Sequence, residues 1–291
     1  MGSQAVVSGD DLPALKPKEF ASISQLVYDY CGLDLRHGKE NLIAARLGKK
    51  LRELHLTSFQ AYFDYVTGDA TGTAMAVMID HLTTNHTSFF REAGHFEFLC
   101  KTIYPAIQHR TQIHVWSAAC SSGEEPYSIA MSLLEQAGEE AAAKVRIKAT
   151  DISTRVLEKA RGGVYEAERF RGLPVDLLQR YLLKGHDRSA NRYQFKSKVR
   201  AMIDFGHLNL MDALPETYRC SVIFCRNIMI YFDKPTQENL VRRLTEKLED
   251  GGYLFIGHSE SLNGISHGLE YVSPATYRKS PRLSHRLNGA N

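Results

Sequence analysis

The 291-residue chain contains no apolar run approaching the roughly 18 residues that a membrane-spanning helix requires, so no such helix is expected. Its first residues, Met1-Gly2-Ser3-Gln4-Ala5-Val6, lack the apolar core of a secretory signal, and Val6 stands where a myristoylation motif wants Ser or Thr. The cysteines Cys31, Cys100, Cys120, Cys220 and Cys225 form no Cys-x-x-Cys pair, and no His lies at zinc-finger distance from them. That spacing excludes a disulfide framework or a zinc module and is read as reduced cytosolic thiols with no metal. A dominant charge is missing too. Lys+Arg total 36 against 33 Asp+Glu, a net +3, which excludes a strongly basic nucleic-acid coat or an acidic tail. There is no internal repeat and no low-complexity segment. The expectation is a cytoplasmic protein that inserts in no membrane and approaches one only through a partner.

The residues present, 43% hydrophobic and 24% charged, are those of a globular protein long enough for two domains. Residues 1–17 carry Gly, Ser, Asp and Pro without periodicity and read as a flexible leader. Phe20, Ile23, Leu26, Val27 and Tyr30 follow the spacing of one helical face, ending at Cys31-Gly32. A second helix is predicted over Lys39 to Leu54, with Leu42, Ile43, Leu47, Leu51 and Leu54 on its buried side, and shorter ones over Ser58–Val66 and Ala74–Leu82. An all-α domain is therefore placed at 18–84, a linking segment at 85–99, a second domain at 100–280 and a flexible tail at 281–291.

The second domain alternates. Ile113–Trp116, Val145–Ala149, Val222–Cys225 and Tyr253–Ile256 are short apolar runs, separated by the helical stretches Pro126–Ala137, Thr154–Arg161 and Pro235–Leu248. That rhythm predicts a doubly wound parallel sheet of the Rossmann type, with its ligand at the carboxyl ends of the strands. Tyr193–Phe195 and Ala201–Phe205 alternate like antiparallel strands, and predict a small inserted β subdomain at about 185–207.

The segment Val115-Trp116-Ser117-Ala118-Ala119-Cys120-Ser121-Ser122-Gly123-Glu124-Glu125-Pro126-Tyr127 runs from a strand through small residues into a helix with Pro in its first turn. A dinucleotide would rest its pyrophosphate on that helix N-terminus, where Glu124 and Glu125 would repel it. Two carboxylates suit a cation, and the ammonium and sulfonium of S-adenosylmethionine (AdoMet) fit better than NAD. The plainer alternative is a tight turn with Glu complementing the helix dipole. Asp151, at the end of the next strand, stands where nucleotide folds bind ribose hydroxyls, or else caps the helix at Thr154. Asn209 and Leu210 could frame a purine, or form an ordinary loop after a strand. Arg226 and Asn227 interrupt an apolar run, and with Tyr231 resemble a substrate platform.

Taken in order, Leu82-Thr83-Thr84-Asn85-His86-Thr87-Ser88-Phe89-Phe90-Arg91-Glu92, Ser117 to Ser128, Phe224-Cys225-Arg226-Asn227-Ile228-Met229-Ile230-Tyr231-Phe232 and Gly257-His258-Ser259-Glu260 closely resemble the chemotaxis-receptor protein-glutamate O-methyltransferases, the CheR family. The resemblance spans about residues 18–280. It implies an α domain joined to an AdoMet-dependent methyltransferase domain with a β subdomain. The implied reaction forms glutamyl methyl esters and S-adenosylhomocysteine, for sensory adaptation in chemotaxis. The implied partners are the cytoplasmic helices of transmembrane chemoreceptors, in their arrays, and a receptor C-terminal tethering peptide as in some members. Matched by position, Asn85, Thr87, Arg91, Glu125, Asp151, Asn209, Leu210, Arg226 and Asn227 would touch cofactor, and Arg91 with Tyr231 would orient the acceptor glutamate. His86 departs from the apolar residue expected there, and Cys120 from Ala or Gly.

A glutamate acceptor has a pKa of about 4.3 and is already ionised, so no general base is needed and none stands out. Arg46, Lys49, Lys50 and Arg52 crowd one segment of the second helix. They are read either as a solvated face or as a surface that steers a Glu-rich receptor helix. Two rival readings keep the AdoMet site. A nucleic-acid acceptor lacks any aromatic-basic stacking motif or Asn-Pro-Pro-Tyr-type signature, and the presence of Arg91, Asp151, Asn227 and Tyr231 together argues against a non-catalytic sensor.

Overall fold

A computed structural model describes residues 13–35, 38–83 and 85–281, which fall into two compact units, 1–84 and 85–291. The leader before residue 13 and the tail after residue 281 lie outside the described residues.

The first unit contains α1 (Pro17–Cys31), α2 (Glu40–Glu53), α3 (Phe59–Gly68) and α4 (Thr73–Leu82). Pro17 opens α1, where the missing N–H costs nothing, and Gly32 closes it in the left-handed conformation at φ 73°. Glu19 is buried and serves two helices at once. One oxygen accepts the Lys16 N–H at 2.8 Å and the other the Gln60 N–H at 3.1 Å, so the first turns of α1 and α3 share a carboxylate. Ile23, Val27, Ile43, Leu47, Leu51, Phe59, Tyr62 and Met78 are essentially inaccessible. Each such aliphatic side chain contributes about 1.5–3 kcal/mol relative to exposure. Leu42 is not among them. It is 41% exposed, because it precedes the Ile43–Leu47–Leu51 stripe by one residue and points about 100° away from Ile43.

The second unit begins with a short helical run, α5 (Gly94–Phe98), a π-helical turn (Leu99–Ile103) and α6 (Tyr104–Ile107). There follow β1 (Ile113–Ala118), α7 (Glu124–Lys144), β2 (Val145–Asp151), α8 (Thr154–Gly162), β3 (Val164–Glu166), α9 (Val175–Tyr181), β4 (Leu182–Lys184), β5 (Arg192–Phe195) and α10 (Ser197–Arg200). The chain continues through β6 (Ile203–His207), β7 (Cys220–Phe224), α11 (Lys234–Lys247), β8 (Leu248–Phe255), β9 (Leu269–Ser273) and β10 (Thr276–Lys279). The large sheet has the order β6-β2-β1-β7-β8-β10-β9. Its first five strands run parallel and β10 and β9 close one side antiparallel. Strand order proceeds outward from β1 to β2 and β6, then restarts beside β1 with β7. The switch point between β1 and β7 is where an open α/β sheet leaves a crevice.

A separate three-stranded antiparallel sheet, β3-β5-β4, forms the inserted subdomain. Its aromatic seat is tight: Tyr127 of α7 stacks on Phe195 at 3.9 Å between ring centroids, and Phe89 stacks on Phe170 at 4.6 Å. The expected placement of this subdomain differs from the observed one. Ile203–His207 is the parallel edge strand of the large sheet, with Ile203 opposite Ile147 and Phe205 opposite Ala149. An edge strand with one polar face alternates in the same way as a hairpin strand, so Asp204 and Gly206 between apolar neighbours misread the partner.

Candidate active site

The turn from β1 into α7 is built from positive φ angles, at Ala119 (69°), Ser121 (49°) and Gly123 (96°). A Cβ on Gly123 would sit 2.8 Å from both Ala160 Cβ and Tyr165 Oη, so only glycine lets α8 and the subdomain close over this corner. The two adjacent glutamates then part company. Glu124 is fully buried, accepts the Ser122 hydroxyl at 2.6 Å and is ion-paired with Arg169, which also donates to the Thr87 carbonyl at 2.6 Å. It therefore anchors the 85–92 segment and faces no ligand, contrary to the expectation that both carboxylates meet a cation. Glu125 reaches the sheet edge. It accepts the Ser117 hydroxyl at 2.7 Å and Arg226 Nη1 at 2.9 Å.

Arg226 follows β7 at the switch point and is 5% exposed. Besides Glu125, its guanidinium donates to Glu92 Oε2 at 2.9 Å and to the Arg91 carbonyl, and lies over the Phe96 ring at 5.6 Å. Burial alone would raise the Glu92 pKa, but the hydrogen bond and charge of Arg226 hold it below the ordinary carboxylate range. Removing one member of such a buried pair costs about 3–5 kcal/mol. Two carboxylates against one guanidinium leave a net negative charge beside the crevice.

Asn227 continues the arrangement at φ 59°, its side-chain amide donating to Glu92 Oε1 at 3.2 Å. A side chain on Gly257 would lie 2.2 Å from Asn227 Nδ2, so this glycine is required by close approach. Glu260 braces the loop from beneath. Its Oε2 accepts the Asn227 N–H at 2.9 Å and the Gly257 N–H, and its Oε1 accepts the Met229 and Ile230 N–H groups at 2.8 and 3.3 Å. Burial nonetheless raises the Glu260 pKa above its usual value against those four donors.

On the other side of β1, Asp151 ends β2 and is 7% exposed. Its carboxylate accepts the Ser121 N–H at 2.8 Å and the Ser153 N–H at 2.9 Å. The cap of α8 is Ser153, whose hydroxyl accepts the Val156 N–H, so the capping alternative for Asp151 does not hold. Leu208 N–H donates to the Asp151 carbonyl at 3.0 Å, which brings Asn209 and Leu210, both buried, alongside. Asn209 Oδ1 accepts the Met211 N–H at 3.0 Å, and Leu210 offers its carbonyl to Arg243.

Asn85 and Thr87 are half-buried, and the Ser121 hydroxyl donates to the Asn85 carbonyl at 3.2 Å. Arg91 Nη1 donates to the His86 carbonyl at 3.2 Å. His86 is exposed, so a polar residue there disturbs no packing. Cys120 is buried and its thiol pKa is pushed well above normal by burial, which makes it an inert small core residue. Tyr231 is half-buried in a short 3₁₀ turn, Met229–Tyr231, beside the exposed Ile230. In the first unit, Lys49 and Arg52 of α2 are exposed. Arg46 is instead bonded to the Leu82 carbonyl, and Lys50 pairs with Glu53 at 3.1 Å.

Four contributors do not stand out in the sequence: Glu92, Glu260, Arg169 and Ser117. The first, second and fourth lie within the family-like motifs, and their roles depend on which loops meet in space. Arg169 carries no local signal.

An open doubly wound sheet, an acidic residue ending β2 and a net acidic crevice at the switch point define a nucleotide-binding α/β protein suited to a cationic nucleoside. The donor set of Glu125, Asp151, Asn209 and Asn227 fits AdoMet, offering acceptors for an ammonium and a ribose diol. Residues 18–83 match the all-alpha domain of the CheR methyltransferases and residues 85–278 match their SAM-binding domain. The chain is 40% identical over 270 residues to the chemotaxis protein methyltransferase of Borreliella burgdorferi, covering 90% of this chain and 94% of that one. It is also 40% identical over 270 residues to that of Escherichia coli, covering 92% of each. A Pseudomonas aeruginosa relative, chemotaxis protein methyltransferase 2, is 38% identical over 261 residues, covering 89% of this chain and 92% of its own. The chain belongs to the CheR methyltransferase family, and is an AdoMet-dependent methyltransferase acting in chemotaxis. No helix among the described residues is long and apolar enough to cross a membrane.

Proposed function

We propose that this enzyme esterifies glutamate side chains on the cytoplasmic helices of chemoreceptors, and that it works in the cytoplasm at receptor arrays. The observation that carries this reading is the layout of the switch-point crevice. Glu125 and Glu92 gather around Arg226, and Asp151 ends the strand on the other side of β1. The segments carrying Arg91, Asn227 and Tyr231 adjoin this acidic shell through the Arg91 carbonyl, the Asn227 amide and the loop that Glu260 braces.

AdoMet supplies an electrophilic methyl group on a sulfonium centre. Glu125, fixed by Ser117 and Arg226, would meet the ammonium end. Asp151 would accept hydrogen bonds from the ribose hydroxyls, and Asn209 with Leu210 would border the base. Asn85 and Thr87, on the segment held down by Arg169 and Ser121, would close the crevice over it. Arg91 and Tyr231 would hold one oxygen of the acceptor carboxylate and leave the other aimed at the methyl group. A bidentate grip by Arg91 would damp the nucleophile, so a single contact serves better. Positioning an anion against a cation with water excluded provides the acceleration, and no proton moves.

Lys49 and Arg52 on α2 support recognition of a Glu-rich receptor helix by charge. The β3-β5-β4 sheet leaves β3 and β4 as edges, which suits docking of an extended receptor C-terminal tether.

The test uses methyl-labelled AdoMet with receptor-bearing membranes. A glutamyl ester releases its label in mild alkali, whereas methylated nitrogen keeps it. Alkali-stable label would reject the proposal.

A further inference from the structure

Beside the Arg226 network, two histidines that have no part in methyl transfer face Glu92 of the acidic shell. Glu92, His95 and His258 each offer a ligand atom, and these atoms all lie within 4.8 Å of one another. His95 Nδ1 is 3.6 Å from Glu92 Oε2, and the two imidazole rings meet edge to face at 4.8 Å. His95 is 3% exposed, yet neither of its ring nitrogens makes a well-aligned hydrogen bond among the described residues. The Pro274 carbonyl is a loose hydrogen-bond partner for one ring N–H at most, which leaves the other nitrogen unsatisfied. Leaving a buried polar group unsatisfied costs about 1–3 kcal/mol, so a histidine held this way calls for a further partner.

We propose that Glu92, His95 and His258 form a binding site for one transition-metal ion of the zinc class. Two imidazoles and a carboxylate are the ligands such ions select, while magnesium and calcium prefer an all-oxygen shell. Glu92 is oriented as metal-binding carboxylates are, by outer donors: Arg226 on one oxygen and Asn227 on the other. Arg226, whose charge also reaches His95, is offset by its ion pairs with Glu92 and Glu125, and Glu92 brings the negative charge to the cluster itself. Ligands of a tetrahedral ion with bonds of about 2.0–2.1 Å stand roughly 3.3 Å apart, so the cluster must contract by about 1.5 Å. His258, which is exposed on the loop after β8, can supply that movement by rotating. A bound ion would tie the segment carrying Arg91 to the loop carrying Glu260. The competing occupant is a bridging water.

The test titrates Co²⁺ into tag-free full-length protein stripped with a chelator, followed by competition with Zn²⁺. One equivalent should give the visible spectrum of tetrahedral cobalt with imidazole ligands, and Zn²⁺ should displace it. His258→Ala and His258→Gln, at an exposed position, should keep the fold and weaken binding by about tenfold or more. Absence of a stoichiometric spectrum, or equal affinity in both His258 variants, would overturn the site and leave water in it.

Discussion

The backbone N–H of Asn227 donates to Glu260 Oε2 at 2.9 Å, joining the loop after β7 to the loop after β8 at the edge of the crevice. The same carboxylate takes three further N–H groups, from Gly257, Met229 and Ile230, so one side chain fixes the approach to Tyr231.

Glu260→Gln tests this brace. The amide can offer only one oxygen, so its NH₂ must face donors that the carboxylate satisfies. At about 1–3 kcal/mol for each orphaned N–H, kcat/KM should fall by roughly one to two orders of magnitude. Steady-state kinetics would show it, and an unchanged kcat/KM would remove Glu260 from the machinery.

Tyr231→Phe should lower kcat by about tenfold or more while leaving AdoMet affinity nearly intact, since Tyr231 is assigned to the acceptor alone. Arg91→Ala, at a position assigned to both acceptor and cofactor, should lower kcat as much and weaken AdoMet binding too. Calorimetric AdoMet binding beside single-turnover rates separates the two effects. Near-normal turnover in both variants would refute the assignment.

Much of the fold and of the crevice is legible in the amino-acid sequence alone. The four helices of the first unit, α7, α8 and α11, the parallel strands around Gly123 and the positions of Glu125, Asp151, Arg226 and Asn227 follow from local periodicity and from strand-to-helix turns, whereas α5, α6, α9 and α10 are too short to show a period. What is not legible depends on partners distant in sequence. Ile203–His207 alternates as any half-exposed strand does, and only its neighbour β2 makes it parallel. The three-residue strands β3 and β4 are too short to show a period. Glu124 and Glu125 are adjacent, yet Arg169 takes one and Arg226 the other, from 45 and 101 residues away. Leu42 fits the helical pattern to within one position, and that one position turns it to solvent.

Reversing the exposed charges Lys49→Glu and Arg52→Glu should raise the KM for receptor and flatten its salt dependence, with AdoMet affinity unchanged. Exposed charge pairs are worth about 0.2–1 kcal/mol each, so a severalfold effect is expected for the double variant. Arg46 and Lys50 are poorer choices, being bonded within the first unit. Receptor kinetics indifferent to the reversal would make this face simply solvated.

All five cysteines are free and buried, and burial raises their pKa values, to about 12 for Cys31 and Cys220 and about 11 for Cys100. The native state therefore holds thiol protons that the unfolded chain releases above its ordinary value near 9. Stability from this source is fully present below pH 9 and declines as pH rises through 9 toward 12. The slope should be about 1.4 kcal/mol per pH unit for each thiol still protonated. Urea midpoints between pH 8 and pH 11 report it, and thiol reagents at pH 8 should react only as the protein unfolds. Fast thiol labelling of the native protein would contradict the buried placement.

The decisive experiment is peptide mass spectrometry of chemoreceptor recovered after incubation with methyl-labelled AdoMet and this enzyme. Methyl groups on glutamate side chains of the cytoplasmic helices are the predicted result. Methyl groups confined to lysine, arginine or nucleic acid, or absent from receptor altogether, would contradict it.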